Sequence, residues 1–169
     1  MTALSSQILV REGAPADAAV LCEIINAIIE IGGTTALETP LSAGEFSEMF
    51  LLGERCLACF VAVENGSEAL AGFQALSRHP DLPENWADVA TFARIEPKTP
   101  GIGTALFART GERARELGLV AINATIRADN ASGLAYYAKM GFQTHRILPG
   151  VPLKDGTPVD RVMKLLLLG

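Results

Sequence analysis

The chain of 169 residues has a length suited to one domain, 1–169, with a full-sized core. Apolar residues make up 49% of it and charged residues 20%, which excludes a disordered or low-complexity protein. A net charge of -5 excludes the clustered basic surface on which nucleic-acid binding depends, and small molecules are the expected ligands.

Met1 to Val10 carries neither a basic flank nor an apolar stretch of signal-peptide length, so a cytoplasmic protein is expected. Gln7 to Arg11 reads as a first strand. Ala14-Pro15-Ala16-Asp17 then opens a helix whose Val20, Leu21, Ile24, Ile25, Ile28 and Ile29 follow three-four spacing, and Gly32-Gly33 ends it. Ser42 with Glu45 three residues on is a capping box, which starts a short helix through about residue 52. Cys56 to Glu64 and Ala69 to Leu76 read as an antiparallel pair joined at Asn65-Gly66, a dipeptide that tolerates tight-turn angles. Cys22, Cys56 and Cys59 are an odd number, and zinc would want two more ligands than Cys56 and Cys59 supply. Packed free thiols and no metal are therefore expected.

After a polar loop from Ser77 to Asn85, Trp86 to Ile95 reads as the fourth strand. The third helix runs from about Gly101 to Leu117 with Leu106, Phe107, Ala114 and Leu117 inward, and Gly118 stops it before the strand Val120 to Ile126. A fourth helix, Ser132 to Met140, ends at Gly141. Final strands at Phe142 to Leu148 and Val159 to Leu168 flank a loop containing Asp155-Gly156. The run Leu165 to Leu168 is too short to span a bilayer, so no membrane partner is expected.

Between the fourth strand and the third helix stands Lys98-Thr99-Pro100-Gly101-Ile102-Gly103-Thr104. Glycine lets a ligand approach the main chain, and the first free amides of a helix carry partial positive charge, so this turn suits a phosphate or pyrophosphate. Pro100 removes one amide, while Thr99, Gly101, Ile102, Gly103 and Thr104 keep theirs. A dinucleotide fingerprint is incomplete, because Leu106 stands where its third glycine belongs, and no Gly-Lys-Ser/Thr follows as a P-loop requires. The plainer alternative is a helix start that merely needs glycine to turn.

Downstream lies Asn130-Ala131-Ser132-Gly133-Leu134-Ala135-Tyr136-Tyr137-Ala138-Lys139-Met140-Gly141-Phe142. The two segments together resemble the GNAT acetyltransferase superfamily. Its pyrophosphate motif, Gln/Arg-Xaa-Xaa-Gly-Xaa-Gly/Ala, is filled by Lys98, Gly101 and Gly103, with Lys98 a departure. Its later Asn, Tyr and Gly-Phe fall on Asn130, Tyr137 and Gly141-Phe142. Element order and Thr39-Pro40 are most similar to the phosphinothricin acetyltransferase group, although Val159 and Thr34 stand near places where that group carries a histidine and an arginine.

The resemblance implies an α/β GNAT fold: a mixed, mostly antiparallel sheet of six to seven strands, splayed between strands 4 and 5, with about four helices. It implies acetyl-CoA as co-substrate and transfer of acetyl to the primary amine of a small metabolite, such as an amino acid or analogue, by direct attack. Lys98, Thr99, Gly101, Ile102, Gly103 and Thr104 are then expected on the pyrophosphate, and Thr91, Phe92, Ala93, Asn130 and Tyr137 on the pantetheine arm. Asn130 also reads as a simple helix cap. A homodimer is implied as well. The alternatives are a non-catalytic acyl-CoA sensor and an acetyltransferase of protein N-termini or lysines.

Acetyl transfer to an alkylamine needs a free lone pair, and with a pKa of about 10.4 losing the proton at pH 7 costs about 4 to 5 kcal/mol. The family's general base falls on Asp88, which is expected to act through a water with its pKa lifted by burial near Trp86 and Phe92. A main-chain amide near Phe92 or Ala93 is the expected donor to the thioester oxygen. Tyr137 is expected to assist the departing thiolate, since Tyr136 lies about 100° around the helix. Surface carboxylate and core tyrosine are the plainer readings of these two residues. His79 and His145 have no acidic partner at useful sequence spacing, so no histidine scheme is expected.

Overall fold

The computed structural model describes residues 8–64 and 66–169. Their strands are β1 (Ile8–Glu12), β2 (Cys56–Glu64), β3 (Leu70–Ser77), β4 (Trp86–Ala93), β5 (Ala121–Arg127), β6 (Gln143–Pro152) and β7 (Pro158–Leu167). Their helices are α1 (Ala18–Ile31), α2 (Ala43–Phe46), α3 (Ile102–Glu116) and α4 (Ala131–Lys139). The strands form one mixed sheet in the order β1-β2-β3-β4-β5-β7-β6, antiparallel at every pairing except β4 with β5. This is the expected mixed α/β architecture. The start of the first strand at Gln7 and the turn residue Asn65 lie outside the described residues.

Local chemistry explains the element starts. Asp17 accepts from the Ala14 amide at 2.7 Å and from Arg11 at 2.8 and 2.9 Å, which fixes the turn that leads into α1. Glu45 N donates to Ser42 Oγ at 3.1 Å, completing the cap of α2, which continues as a single π turn through Ser47–Leu51. On one side of the sheet Leu21 and Ile25 of α1 pack with Phe46, Phe50 and Phe73, and Phe92 stacks on Phe73 at 5.2 Å. Each such burial stabilises the fold by about 1.5–3 kcal/mol. Leu106 and Ala114 of α3 fill the other side with Ile122 and Ala124 of β5 behind them.

Some expected positions differ. Val20 is 44% exposed, on the groove-facing edge of the buried stripe that Ala18, Leu21, Cys22, Ile24, Ile25, Ile28 and Ile29 form on α1. Leu117 is 45% exposed, since α3 ends at Glu116 and the chain turns away there. β4 stops at Ala93, where Arg94 turns out to donate its Nε to Pro97 O at 2.9 Å. β6 runs on to Pro152, beyond the Leu148 read from sequence, and β7 is shifted by one residue to Pro158–Leu167, which leaves a turn of residues 153–157 closed by Leu153 N to Thr157 O at 2.8 Å. Among the described residues no helix is long and apolar enough to cross a membrane.

Candidate active site

β4 and β5 pair in parallel only at Trp86, Ala87 and Asp88 with Ala121, Ile122 and Asn123. Beyond Asp88 the two strands part, while β4 keeps its antiparallel pairing to β3 as far as Ala93. The β5 side of Val89–Ala93 is therefore an open edge inside the sheet, the splay expected between the fourth and fifth strands. Arg94 N donates to Ala71 O at 2.8 Å, so alternation turns the Phe92 amide toward β3 and the Thr91 and Ala93 amides toward the gap. Of the two amides expected to meet a thioester oxygen, that of Ala93 faces the gap and that of Phe92 faces β3. The Phe92 ring joins the aromatic cluster beneath α2.

Asp88 sits at the apex of the gap. Asn123 Nδ2 donates to Asp88 Oδ1 at 2.9 Å, and Asn123 Oδ1 lies 2.8 Å from His145 Nε2. Because the carboxamide nitrogen is committed to the carboxylate, its oxygen accepts, and His145 donates from Nε2. The imidazole also meets the Trp86 ring edge-on at 6.0 Å. Burial raises the Asp88 carboxyl above its ordinary range, against the smaller lowering by the Asn123 hydrogen bond and by His79. As expected, His145 meets no acid directly: a bulge in β6 at His145 lets the ring cross β7 to Asn123, which stands between it and Asp88, while His79 has, among the described residues, only the exposed Asp81 at 3.9 Å.

On the other side of the sheet, Thr91 Oγ1 is 2.7 Å from the Tyr137 hydroxyl and accepts from Gln74 Nε2 at 2.8 Å. Gln74 is fully buried in β3, and its Oε1 has no partner among the described residues. With Gln74 donating to it, Thr91 is free to give its own proton to Tyr137, which releases the phenol proton for a ligand. Tyr137 is 7% exposed, and burial raises its pKa well above the ordinary tyrosine value, so it stays protonated throughout the neutral range. Tyr136 lies beside it: its hydroxyl accepts from the same Gln74 Nε2 at 3.1 Å and donates to Gly103 O at 2.7 Å.

Gly101 precedes α3 with φ +85, a left-handed angle that favours glycine, and no side chain caps the helix. The first amides of α3, at Ile102, Gly103 and Thr104, are left for an external acceptor. Gly103 has a second reason to lack a side chain, since a Cβ there would stand 2.5 Å from Tyr136 Cε2. Thr99 Oγ1 bonds Glu64, and Arg94 reaches the same carboxylate at 2.6 Å, which braces the turn from beneath while Lys98 stays exposed. Asn130 Oδ1 accepts from Gly133 N at 3.0 Å and its Nδ2 donates to Thr34 O at 3.1 Å. Both ends of this carboxamide are engaged, so its contacts are those of a cap tied to the α1–α2 connection.

Among the described residues no group of three or more metal-ligating side chains is found. An open groove of about 550 Å³ lies beside α1, lined by Val20, Glu23, Ile24, Leu70, Arg94 and Ile95. It holds neither Asp88 nor Tyr137, and the parted strands with their unpaired amides are the better guide to chemistry. Gln74, Asn123 and His145 were not read as site residues from sequence. The signal that marks the first two is a single polar residue inside an apolar strand, as in Phe73-Gln74-Ala75 and Ile122-Asn123-Ala124.

The model of the acetyltransferase (GNAT) family matches residues 30–142, and the chain belongs to that family. Similar solved structures include an N-acetyltransferase from Staphylococcus aureus Mu50, 20% identical with a TM-score of 0.83, covering 97% of this chain and 100% of that one. A GNAT superfamily phosphinothricin acetyltransferase from Sinorhizobium meliloti in complex with AcCoA is 22% identical, with a TM-score of 0.83 and coverage of 96% and 89%. The ribosomal-protein-alanine N-acetyltransferase from Brucella melitensis is 22% identical, with a TM-score of 0.79 and coverage of 95% and 99%. At such identities these likenesses show the fold. No curated protein matches the sequence.

Proposed function

We propose that this member of the GNAT acetyltransferase family takes acetyl from acetyl-CoA and places it on the primary amine of a small metabolite, an amino acid or an analogue, in a ternary complex without a covalent enzyme intermediate. The observation that carries this reading is the parting of β4 from β5 directly after Asp88, with a carboxylate on one side of the gap and a protonated phenol on the other. The Sinorhizobium meliloti neighbour, determined in complex with AcCoA, supports the choice of donor. So does the fit of the residues here: uncapped amides at Ile102, Gly103 and Thr104 for a pyrophosphate, with Lys98, Thr99 and Gly101 around them, and open Thr91 and Ala93 amides for a pantetheine arm.

Bound acetyl-CoA supplies the thioester as acetyl donor. Asp88 accepts the ammonium proton through a water, and burial brings its pKa nearer to the working pH than an exposed aspartate allows. Asn123 holds Asp88 and His145 in place. The Ala93 amide faces the position where negative charge gathers on the carbonyl oxygen. Tyr137 donates a hydrogen bond to the departing sulfur; with its pKa raised above that of a thiol, about 8.5, donation rather than complete proton transfer is its part.

A small acceptor is favoured by a contact at the far end of the cleft: Lys154 N donates to Glu38 at 2.8 Å, which rests the β6–β7 turn on the α1–α2 connection. Acetylation of a protein N-terminus, favoured by the Brucella melitensis likeness, would need these two segments to separate around a peptide. The test is thermal stabilisation by acetyl-CoA, worth about 2.7 kcal/mol at 100 times Kd, followed by thiol release over amines, amino acids and basic peptides. Release with free amino acids or amines supports the reading, release with peptides alone selects the rival, and stabilisation without release makes the protein an acyl-CoA sensor. A homodimer is proposed with it, to be checked by light scattering.

A further inference from the structure

A buried guanidinium whose Nη1 has no hydrogen-bond partner among the described residues lies further along the face of the sheet that carries Asp88. Arg161 of β7 is 7% exposed, and its Nη1 is buried with no hydrogen bond among the described residues. None of the ion pairs among the described residues includes it. Arg127 stands directly opposite in register and takes the nearby carboxylate, donating from Nε and Nη2 to Asp129 at 2.9 and 2.7 Å and from Nη1 to Thr35 O at 3.2 Å. Glu38, the other acid near this pair, is exposed and accepts from the Lys154 amide. Asp129, bonded to Arg127, also feels the Arg161 charge, so the two arginines share one carboxylate; an arginine does not escape burial by losing its proton, and the unsatisfied Nη1 is kept at a cost that a second carboxylate can offset.

The ladders define where this cation points its strand face. Residues opposite one another in a ladder share a face, as do alternate residues of one strand. Asp88 pairs with Asn123, Asn123 with Leu165, Thr125 with Met163, and Arg127 with Arg161, so Asp88, Asn123, Thr125, Arg127 and Arg161 occupy one face. The Arg127 bond to Thr35 O identifies it as the face beneath the α1–α2 connection. From Leu165 to Arg161 is four residues, about 13 Å of strand at roughly 3.3 Å each, a span divided between the arginine side chain and a molecule of amino-acid size. One end of this face offers a base and the other a cation.

We propose that Arg161 receives the carboxylate of the acceptor, so that the acceptor is an amine that also bears a carboxylate. Arg127, held by Asp129, is a positioning residue that keeps Thr35 and the α1–α2 connection over the site. The planar guanidinium fork suits a carboxylate bidentately, which a lysine would not reproduce. This assignment rests on the reading of the site as an amine acetyltransferase, and the experiment separates the two.

The experiment pairs amino acids with their decarboxylated amines: leucine with 3-methylbutylamine, phenylalanine with phenethylamine. Wild-type kcat/KM favours each amino acid tenfold or more, and Arg161→Gln lowers kcat/KM for the acids at least tenfold more than for the amines. No preference in the wild type, or equal losses on both sets, overturns the assignment. If nothing in the panel is acetylated, the proposed reaction fails and melting measurements still decide the site: leucine or phenylalanine raises the melting temperature of the wild type and not of Arg161→Met, which without ligand melts above the wild type. A ligand-free Arg161→Met that melts lower shows a structural partner for the guanidinium and overturns the proposal.

Discussion

Replacing Tyr137 by Phe removes one hydroxyl and leaves the ring packing in place, since the ring centroids of Phe142 and Tyr136 stand 5.2 and 4.8 Å away and need no oxygen. Thr91 Oγ1 loses the bond at 2.7 Å and keeps the one from Gln74 Nε2 at 2.8 Å, so no buried group is left wholly unpaired by the change. The stability cost is that of one neutral hydrogen bond, about 1 kcal/mol, or about 2–4 °C in melting temperature for a chain of this size. The expected effect on chemistry is larger. A hydrogen bond to a developing thiolate is charge-assisted and worth about 1.5–3 kcal/mol, which converts to a fall in kcat of about 10- to 150-fold. Acetyl-CoA affinity, measured by calorimetry, should change less than threefold, because the sulfur that the hydroxyl meets gains its charge only as the thiolate departs. Thiol release under saturating acceptor gives kcat, with the melting curve as the control for folding. An unchanged kcat beside a lowered melting temperature would show that the Thr91–Tyr137 pair only holds α4 on β4, and the assignment of a leaving-group donor would fall.

Asp88→Asn should remove the acidic limb of the kcat/KM profile, a limb that in the wild type lies above the ordinary aspartate value near 3.9 because burial raises this carboxyl; an identical limb in the variant places the base elsewhere. The same shift has a stability sign: the folded state holds the Asp88 proton more tightly than the unfolded chain, so this residue's contribution is present below the unfolded pKa and is lost as pH rises through the folded one. Asp88→Asn should accordingly be at least as stable as the wild type at pH 7, with the advantage gone near pH 3, as urea titrations at the two values would reveal. Gly103→Ala places a methyl 2.5 Å from the Tyr136 ring and should cost about 1–3 kcal/mol by overpacking, more than the helix propensity of about 0.8–1 kcal/mol it gains. Combined with Tyr136→Ala, it should add no further loss, and additivity in that double-mutant cycle would count against the close approach. Asn130→Ala removes both the α4 cap and the tie to Thr34 O and should lower stability by about 1 kcal/mol, read from the melting temperature, with the larger effect on KM for the acceptor.

The features legible in the sequence are those whose cause is local. Ser42 with Glu45 caps a helix within four residues, Gly101 takes a left-handed angle at the start of α3, and the alternation from strand to helix to strand around it yields the parallel β4–β5 pair. Asp88 and Tyr137 were reached through the resemblance that those local signals carried. Their surroundings were not, because each depends on a partner that only the sheet brings near: Asn123 is 35 residues from Asp88 and 22 from His145. The splay was expected from family likeness, whereas the direction of each open amide follows from one hydrogen bond, Arg94 N to Ala71 O.

A physical rule would have narrowed the search without any partner list. A strand buried on both faces reads as an unbroken apolar run, and each polar interruption must find a hydrogen bond or cost more than an apolar residue of the same size. Gln74 and Asn123 break such runs and are 0% and 1% exposed; both bond a residue at the parted strands, Gln74 to Thr91 and Asn123 to Asp88. Arg127 and Arg161 break the ends of β5 and β7 in the same manner, at 7% exposure each. Three of these four interruptions have identified partners that they position. The fourth has no identified partner for its buried Nη1, as Gln74 has none for Oε1, and it is the one proposed above to meet a carboxylate from solution.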